Sequence, residues 1–419
     1  MQFLSPSFHY RQDSLYCGGV PLAEIAERAG TPVYVYSADD ILAAFREYDA
    51  GLEGAPHRVC YAVKANGNLA VLALLARAGA SFDIVSGGEL FRVLRAGAPA
   101  SSVVFSGVGK TAEEVEYALR EGIHSFHCES EAELALIDAK AGRLGKRAVA
   151  AVRINPDVDA KTHPYISTGL RQHKFGIDIS EAEAVYERGR GLRNVALEGL
   201  SCHIGSQLTS AEPLIDAFEK MLALAERLRS RGHSIRYLDL GGGLGVPYQE
   251  GQEAEDIASY VSQLRERLRG SDLLLLLEPG RSIVARAGVL LTRVLYRKKG
   301  NGKEFVIVDA SMTELIRPSL YGAWHEILPL RRTPLPPIVA DVVGPVCETG
   351  DFLALDRRMA NALPGDLLAV CTAGAYGMVA ASNYNARPRP AEVLVEGDSW
   401  RLARARETYE DLIRGERIP

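Results

Sequence analysis

The sequence predicts an α/β fold, a (β/α)8 TIM barrel followed by a mostly β domain of β-sandwich or barrel-like character. Two observations lead to this prediction. From about residue 57, eight short β-favouring runs alternate with amphipathic helical segments, and after residue 284 the chain continues in hairpin-like segments with Pro-rich and Gly-rich turns. Alternating strands and helices are typical of a parallel sheet.

The eight β-favouring runs extend over roughly 230 residues, close to the usual size of a barrel of eight βα units. In order they read HRVCYAVK, SFDIVS, VVFSG, HSFHCES, AVAAVRINP, VALEGLSCHIG, YLDLGGG and LLLLLEPG. Segments between them, such as NLAVLALLARAGA, TAEEVEYALREG and EPLIDAFEKMLALAERLRSRG, carry apolar residues at helical spacing and close on Gly, a common helix stop. We predict the barrel over residues 36–283, with a doubly wound open sheet as the alternative.

The remaining chain, residues 1–35 and 284–419, is predicted to form one β domain. The segment VLLTRVLYRKKGNGKEFVIVD has the pattern of a strand, a Gly-Asn-Gly turn and a second strand. Turn residues continue through RRTPLPPIVADVVGPVCETGD, and the opening stretch with LYCGGVPL has the same hairpin character. Both ends of the chain would then belong to a single domain.

The composition argues against several classes of function. The 419 residues are 47% hydrophobic and 24% charged, and a formal net charge of -5 offers no basic surface for a nucleic-acid backbone. The start lacks the pattern of a signal peptide and no apolar run is long enough to span a bilayer, so no membrane partner and a cytoplasmic location are expected. The six cysteines lack paired spacing, which favours reduced thiols over disulfides or a zinc site.

Polar and ionisable residues close almost every predicted strand. In a TIM barrel the loops at the C-terminal ends of the strands form the active site. A single such lysine would be read as a surface residue, but eight converging strand ends predict a site. In chain order these ends are Lys64, Asp83, Ser106, Glu129, Arg153, His203, Gly241 to Gly243, and Glu278.

Two of these strand ends suggest a covalent cofactor that carries a phosphate. A lysine such as Lys64, held among buried neighbours, can lose its proton near neutral pH and form a Schiff base with a carbonyl group. The turn in YLDLGGGLG lets backbone N–H groups approach a phosphate, although this motif alone is weak. It is not a dinucleotide fingerprint, since Val246 stands where a third glycine is required. Gly280 and Arg281 would add donors at the next strand end.

A phosphate site, a Schiff-base lysine and a carboxylate together describe pyridoxal 5'-phosphate (PLP), whose pyridine nitrogen is commonly paired with an acidic residue. Glu278 is the candidate for that partner, with a strand-end salt bridge as the alternative. His203 is predicted to stack on the cofactor ring, unless it is a structural histidine. His124 and His127 are three apart on a predicted strand and should point to opposite faces, so no metal site is predicted.

Nine motifs, in this order, closely resemble those of the fold-type III PLP decarboxylases, the group with alanine-racemase-like barrels. They are YAVKAN, FDIVSGGEL, RINP, KFG, CHIGSQ, LDLGGGLG, EPGR, CETGD and AGAYG, and the resemblance covers nearly the whole chain. DVDAKTHPYISTGLRQHKFG and RPSLYGAWH look most like the branch that decarboxylates meso-2,6-diaminopimelate at its D centre to L-lysine and CO2, the last step of lysine biosynthesis. Thr349 and Trp324 depart from the more familiar serine and tyrosine, and Trp324 would alter substrate fit.

The resemblance implies a role for each matching residue. The implied catalytic residues are Lys64, which would carry PLP, Glu278 at the pyridine nitrogen, His203, and Cys347, which would return a proton to Cα unless it is a buried structural cysteine. The other residues implied to bind the cofactor are Asp83, Arg153, Ser206, Gly242, Gly243, Gly280, Arg281 and Tyr376. The residues implied to bind substrate are Arg281, Tyr376, Arg317 and Tyr321 at the distal carboxylate, and Glu348 at the distal ammonium.

The resemblance also implies a homodimer with shared active sites, in which the β domain contributes substrate-binding and interface residues and Cys347 and Glu348 enter the site of the second subunit. Three alternatives stay open. A sister decarboxylase would act on ornithine, arginine, carboxynorspermidine or a carrier-bound amino acid. A non-catalytic PLP-binding protein would lack the second domain and the Cys-Glu motif. A racemase would resemble a pattern with arginine in place of Glu278.

Overall fold

The computed structural model describes residues 1–158, 175–300 and 302–419, which divide into two compact units. The barrel unit comprises Ala44–Val246 and Ala254–Ser282, and the β unit comprises Met1–Ala43, Pro247–Glu253 and Ile283–Pro419. Most of the segment DVDAKTHPYISTGLRQHKFG, quoted above for its resemblance, falls at 159–174, outside the described residues.

The chain begins with a small antiparallel hairpin sheet and a short helix, followed by a fully buried strand. These elements are β1 (Phe8–Arg11), β2 (Ser14–Cys17), β3 (Val20–Pro21), α1 (Leu22–Ala29), β4 (Val33–Ser37) and α2 (Ala38–Gly51). The first three strands pair in the order β1-β2-β3, which agrees with the hairpin character predicted for LYCGGVPL.

The next part of the chain alternates strands with helices, as the sequence predicts. The strands are β5 (His57–Ala62), β6 (Ser81–Ile84), β7 (Val103–Phe105), β8 (Ser125–Cys128), β9 (Ala148–Asn155), β10 (Ile177–Asp178), β11 (Val195–Ser201), β12 (Tyr237–Asp239) and β13 (Leu274–Leu277). The helices are α3 (Leu69–Arg77), α4 (Gly87–Arg95), α5 (Ala112–Glu121), α6 (Glu131–Arg143), α7 (Ala182–Gly189), α8 (Glu212–Ser230) and α9 (Ile257–Arg267).

Over the described residues, eight of these strands close into a parallel barrel in the order β5-β6-β7-β8-β9-β11-β12-β13, with the short β10 added at β9. Closure is made by β13, whose Leu277 pairs with Val59 of β5. The predicted TIM barrel is therefore confirmed, and the open-sheet alternative is wrong because an open sheet would leave these two strands unpaired. Side chains from five of the strands pack together as one buried cluster, namely Cys60, Val104, Ala151, Tyr237 and Leu276.

Local sequence signals explain where several barrel helices begin and end. Helix α5 starts at a capping box, in which Thr111 accepts from the Glu114 backbone and the Glu114 side chain accepts from the Thr111 backbone. It ends at Gly122, whose left-handed φ of 76 suits glycine. Ser86 and Ser130 cap α4 and α6 by accepting from the backbone N–H groups of Glu89 and Glu133. Each helix is thereby fixed directly after a strand end that carries a candidate site residue.

The rest of the chain is mostly β, as predicted. Its strands are β14 (Gly288–Gly300), β15 (Lys303–Val308), β16 (Ile327–Pro329), β17 (Ile338–Val343), β18 (Phe352–Met359), β19 (Leu367–Val370), β20 (Ala391–Glu396) and β21 (Ser399–Arg404). Short helices are α10 (Arg281–Val284), α11 (Arg317–Tyr321) and α12 (Tyr409–Leu412). Strands β14 and β15 form the predicted antiparallel pair up to Gly300 and Lys303.

The β unit joins the beginning and the end of the chain in one sheet of order β18-β17-β15-β14-β4-β20-β21. Strand β4 pairs antiparallel with β14 and parallel with β20. Its core includes Leu15 of β2, Val35 of β4, Leu291 of β14 and Val393 of β20. Among the described residues, no helix is both long and apolar enough to cross a bilayer.

Candidate active site

The strand-end residues of the barrel unit lie together and hold one another through hydrogen bonds and ion pairs. Parallel strands bring their C-terminal ends to one rim, so side chains far apart in sequence become neighbours there. Lys64 follows β5 in a 3-10 turn (Val63–Ala65), and its Nζ donates to Oδ2 of Asp83 on β6. The structure thus brings the proposed nucleophile directly against a carboxylate.

The Lys64–Asp83 pair is buried on one side only. Asp83 is fully buried, whereas the Lys64 side chain is 36% exposed, so the lysine can still be reached by a ligand. Burial raises the pKa of Asp83, as does the charge of Glu278, while Lys64 opposes the rise. The other Asp83 carboxylate oxygen, Oδ1, is buried and has no hydrogen-bond partner among the described residues.

Glu278, directly after β13, is held by neighbours inside the barrel. Ser106 Oγ donates to Glu278 Oε1 at 3.1 Å, and His127 Nδ1 lies 3.5 Å from the same oxygen. Burial would raise the pKa of Glu278, but the hydrogen bond from His127 and the charges of Lys64 and His127 outweigh burial and lower it to about 2. Glu278 is therefore a carboxylate at neutral pH.

His203 follows β11 and is neutral. The Gly242 N–H donates to His203 Nδ1 at 3.2 Å, so the ring proton is on Nε2. Burial lowers the pKa of His203 to about 3, and the charges of Arg153 and Lys64 act in the same direction. A neutral ring beside cations can lie against an aromatic cofactor without adding a further charge.

Arg153, on β9, connects two other strand ends. Its Nη1 donates to Glu129 Oε1 at 2.7 Å and its Nη2 to the His203 carbonyl at 3.4 Å. Glu129 also accepts from the Gly176 N–H at 2.7 Å, and the guanidinium lies 4.7 Å over the Phe175 ring. The arginine is thereby held in place rather than extended into water.

The glycine-rich turn after β12 approaches neighbouring backbone too closely for a side chain. A Cβ on Gly242 would lie 2.3 Å from the Glu278 carbonyl oxygen, and one on Gly243, which has φ of +120, would lie 2.6 Å from the Gly205 carbonyl oxygen. A Cβ on Gly280 would lie 2.9 Å from the Ala65 side chain. These glycines are required by the close packing of three strand ends.

Arg281 and Ser206 add polar groups to the same unit. Arg281 is 7% exposed, and its Nη2 donates to Ser206 Oγ at 2.8 Å. A lysine amine, an ionised carboxylate and a glycine turn flanked by Ser and Arg match the three polar ends of PLP: its aldehyde carbon, its pyridine nitrogen and its phosphate. The donor set of the barrel unit therefore fits this cofactor.

Two residues of this cluster were not predicted from the sequence. His127, on β8, lies between Glu278 and Asp239, the last residue of β12. Their ligand atoms lie within 4.8 Å of one another, and each carboxylate faces a different ring nitrogen, so His127 forms a bridge by position between the two acidic groups, at 3.5 Å and 3.8 Å. Contrary to the expected opposite faces, His124 and His127 both pack on Tyr237, because His124 precedes the strand. The prediction of no metal site stays a prediction.

The signals for these two residues were present in the sequence. Asp239 is the last residue of β12, directly before the glycines, and His127 alternates with Ser125 along β8. Their importance depends on which ring nitrogen faces which carboxylate, and one strand read by itself does not contain that information.

The candidate substrate residues other than Arg281 lie in the β unit, where two motifs are joined. Ser319 in RPSLY donates to the Gly350 carbonyl in CETGD at 2.5 Å. Buried Asp351 then fixes the second motif by accepting from the Met312 and Val346 N–H groups, each at 2.7 Å. The motif that carries Arg317 and Tyr321 and the motif that carries Cys347 and Glu348 are therefore neighbours.

Arg317 begins α11, is 7% exposed and is held on two sides. Its Nη1 donates to His325 Nε2 at 2.8 Å, and its guanidinium lies 4.5 Å over the Tyr248 ring. His325 Nδ1 faces the Cys371 carbonyl at 2.8 Å, so the ring carries its proton on Nδ1 and accepts from the arginine. The orientation of Arg317 is thereby determined before any ligand binds.

The remaining predicted residues of the β unit are more open. Tyr321, Cys347 and Glu348 are exposed, which excludes the buried-cysteine alternative for Cys347, and the other five cysteines are buried. Tyr376 has a left-handed φ of 57, a conformation that non-glycine residues rarely adopt. Trp324 covers the Arg357 guanidinium, 3.4 Å from its ring centre.

Comparison with known proteins agrees with this site. Residues 38–285 match the family described as "Pyridoxal-dependent decarboxylase, pyridoxal binding domain". The diaminopimelate decarboxylase of Pseudomonas aeruginosa is 56% identical to the chain over 412 residues, covering 98% of the chain and 99% of that relative.

Solved structures resemble the whole chain. The diaminopimelate decarboxylase of Helicobacter pylori, in complex with L-lysine, has a TM-score of 0.90 at 44% identity, covering 94% of this chain and 98% of that chain. The enzyme of M. jannaschii, also with L-lysine, has a TM-score of 0.94 at 36% identity, covering 100% and 99% of the two chains.

Proposed function

We propose that this chain, which belongs to the diaminopimelate decarboxylase family of pyridoxal-dependent decarboxylases, removes CO2 from the D centre of meso-2,6-diaminopimelate and yields L-lysine. The enzyme class is a PLP-dependent carboxy-lyase, and PLP is its cofactor. The observation that carries the proposal is the single barrel rim that combines a lysine paired with buried Asp83 and an ionised Glu278.

We assign Lys64 as the covalent attachment point of PLP and Glu278 as the partner of its pyridine nitrogen. Bound in this way, PLP supplies an electron sink for the charge left at Cα when CO2 departs. An ionised carboxylate keeps the pyridine nitrogen protonated, and the pKa of about 2 for Glu278 satisfies this requirement. Asp83 would keep Lys64 oriented, and neutral His203 would lie against the ring.

The phosphate end would be bound by backbone and side-chain donors. We assign this role to the segment around Gly242 and Gly243, to Gly280, and to Ser206 with Arg281. Helix and turn N–H groups are suited to a phosphate because they present several donors without side chains in the way. Arg153 would support the same side of the site, since it is tied to the His203 backbone, and Tyr376 would add a phenolic hydroxyl.

The β unit would recognise the far end of the substrate. Arg317 is held by His325 and Tyr248 and can bind a carboxylate in a fork geometry. Tyr321 would add a hydroxyl donor, and Glu348, in the adjoining motif, would pair with the distal ammonium. Arg281 and Tyr376 would contact the end of the substrate that reacts. Two oppositely charged groups favour a substrate whose far end carries both a carboxylate and an ammonium group.

We further propose that Cys347 returns the proton to Cα and that the active form is a homodimer with shared active sites. In this arrangement Cys347 and Glu348 act in the site of the partner subunit. Their exposure in the single chain supports this proposal, because groups that act on a buried carbon need to be covered when they do so.

The substrate is tested by CO2 release from PLP-loaded protein given meso-diaminopimelate, L,L-diaminopimelate, ornithine, arginine and carboxynorspermidine in parallel. Turnover confined to the meso isomer is expected, with Lys64→Ala as the inactive control. Preference for another amine would favour a sister decarboxylase, and bound PLP without any turnover would favour a non-catalytic PLP-binding protein.

A further inference from the structure

His127 occupies a buried position between two carboxylates inside the barrel. It is 2% exposed, Asp239 is 0% exposed and Glu278 is 8% exposed. The imidazole Nδ1 lies 3.5 Å from Glu278 Oε1, and Nε2 lies 3.8 Å from Asp239 Oδ2. One ring therefore spans the distance between the proposed pyridine partner and a carboxylate deeper in the barrel.

The orientation of this ring is set by its neighbours. Ser106 Oγ lies 3.3 Å from Nδ1 and also donates to Glu278, while Ser125 Oγ lies 3.4 Å from Nε2. Tyr237 stacks on the ring with 6.2 Å between centroids and 26° between planes. The two nitrogens consequently face two different carboxylates.

The two carboxylates, Asp239 and Glu278, differ in their hydrogen-bond partners and in the direction of their pKa shifts. Asp239 Oδ1 accepts from the Gly241 N–H at 2.7 Å, while Asp239 Oδ2 has no hydrogen-bond partner among the described residues. Burial and the charge of Glu278 raise the pKa of Asp239 well above its usual range, whereas Glu278 stays ionised. A buried carboxylate is costly unless donors surround it, so Glu278 depends on Ser106 and His127.

The charged and titratable groups around His127 come from several strand ends. Glu278 and Asp239 face its two nitrogens, while Asp83, Lys64 and His203 influence the same carboxylates from β6, β5 and β11. Cys60 of β5 and His124 also lie in this interior. His127 is the group that touches Glu278 on one side and Asp239 on the other.

We propose that His127 is a positioning residue that acts through Glu278: its Nδ1 orients the Glu278 carboxylate and keeps it an acceptor toward the cofactor's pyridine nitrogen, while its Nε2 lies beside Ser125 and faces Asp239. This inference rests on the proposed role of Glu278. His127 does not touch substrate or cofactor in this assignment, and its effect reaches them only through the carboxylate.

Two substitutions separate the two sides of the ring. His127→Asn places an amide near the position of Nδ1 and can still donate to Glu278, whereas His127→Gln reaches the position of Nε2 and loses that bond. Two quantities are measured on holoenzyme and reconstituted protein: the dissociation constant for PLP and the pH dependence of the visible absorption band of the bound cofactor. Neither measurement requires turnover.

In His127→Gln we expect PLP to bind about 10-fold more weakly, the lower end of the loss known for hydrogen-bonding partners of metal ligands. The midpoint of the band's pH dependence should move by about one unit, which corresponds to the same tenfold change. His127→Asn is expected to remain within about threefold of wild type for PLP binding. Ser125→Ala is the matched control, because it removes a contact to Nε2 but leaves the contacts of Nδ1 and Glu278 in place, so it should change both quantities less than His127→Gln does.

The outcomes distinguish this inference from the proposed function. If Glu278→Gln shifts the band while His127→Gln and His127→Asn both behave as wild type, the inference is overturned and the role of Glu278 remains. If Glu278→Gln itself leaves the band and PLP affinity unchanged, the proposed role of Glu278 fails first. Should His127→Gln not fold, the isosteric Asp239→Asn, which retains an acceptor for Gly241, is expected to shift the band, and an unchanged band would overturn the inference.

Discussion

The barrel unit and the β unit hold their candidate functional groups in opposite ways. In the barrel unit the groups assigned to the cofactor are buried or half-buried and support one another, as in the pairs Lys64–Asp83 and Ser106–Glu278. In the β unit Cys347 and Glu348 lie exposed on a loop. The side chain of buried Asp351 holds this loop by accepting from the Val346 backbone N–H. Arg317 is the exception, since His325 and Tyr248 hold it.

This difference indicates which functional groups a single chain can hold in a fixed charge state by itself. A group whose charge must be fixed before the reaction, such as Glu278, needs a surrounding shell of donors, and the barrel supplies it from within one chain. Cys347 and Glu348 are exposed in the single chain, so under the proposed function substrate and a partner subunit would complete their surroundings. Cofactor binding and substrate handling should therefore respond separately to mutation.

The largest effect is expected from removing Lys64. Lys64→Ala should lower kcat/KM by on the order of 10^4-fold or more, because the covalent attachment point is lost. Lys64→Arg is the matched control for charge, since it retains a cation beside Asp83 but no nucleophilic amine, and it should be as inactive as alanine. Steady-state CO2 release measures both, and a fully active Lys64→Ala would refute the mechanism.

The next effect tests whether the exposed groups of the β unit act in a second chain. Cys347→Ala alone should retain the absorption of bound PLP but lose turnover by about 10^2-fold or more. When it is mixed and reassociated with Lys64→Ala, activity should return to about a quarter of wild type, since half of the dimers are mixed and each contains one complete site. No recovery after verified subunit exchange would mean that each chain uses its own Cys347.

A smaller effect should separate substrate recognition from cofactor binding. Arg317→Gln is expected to raise KM by roughly 30- to 100-fold, since a charged hydrogen bond to a carboxylate is lost, and to leave the PLP dissociation constant unchanged. Arg332→Gln is the control, because Arg332 also lies over a tyrosine of the β unit, 4.2 Å from the Tyr10 ring centre. If Arg317→Gln weakened PLP binding by the same factor as it raised KM, substrate recognition and cofactor binding would not be separate.

The smallest effect concerns stability in acid and belongs to the barrel unit. Burial lowers the pKa of His124 from 6.5 to about 4, so the folded protein holds this ring neutral while the unfolded chain protonates it below pH 6.5. Its contribution to stability is complete above pH 6.5 and is lost as pH falls toward 4, at up to about 1.4 kcal/mol per pH unit.

His124→Phe should therefore make the unfolding free energy less sensitive to pH between 6.5 and 4, because phenylalanine can keep the packing against Tyr237, now 5.7 Å between ring centroids. Urea unfolding at several pH values measures this, with His9→Gln in β1 as the control. An unchanged slope in His124→Phe would show that this ring is not protonated on unfolding in that range.

The barrel was predictable because its information is local and periodic. Each β-favouring run ends close to a polar residue, and parallel pairing then brings Lys64, Asp83 and Glu278 to one rim without any further specification. The predicted hairpin at Gly300 was equally local. These features follow from strand period, turn residues and the geometry of one closed sheet.

Other features depended on contacts that no single segment specifies. The bridge through His127 requires the interior faces of three separate strands, and the support of Arg317 by Tyr248 comes from residues 247–253, a stretch between barrel elements that belongs to the β unit. The stacking of Arg357 on Trp324 likewise joins a strand to a loop. Such pairs follow from tertiary packing and not from periodicity.

The order in which the chain is synthesised has a consequence for strand β4. All five residues of this apolar strand are buried, yet its partners β14 and β20 leave the ribosome roughly 250 residues or more after it, so the strand waits while the whole barrel is synthesised. A nascent or truncated chain that ends after the barrel would carry β4 with both edges unpaired, a template for aggregation. Strand β4 therefore depends for its pairing on two segments that are synthesised after the barrel.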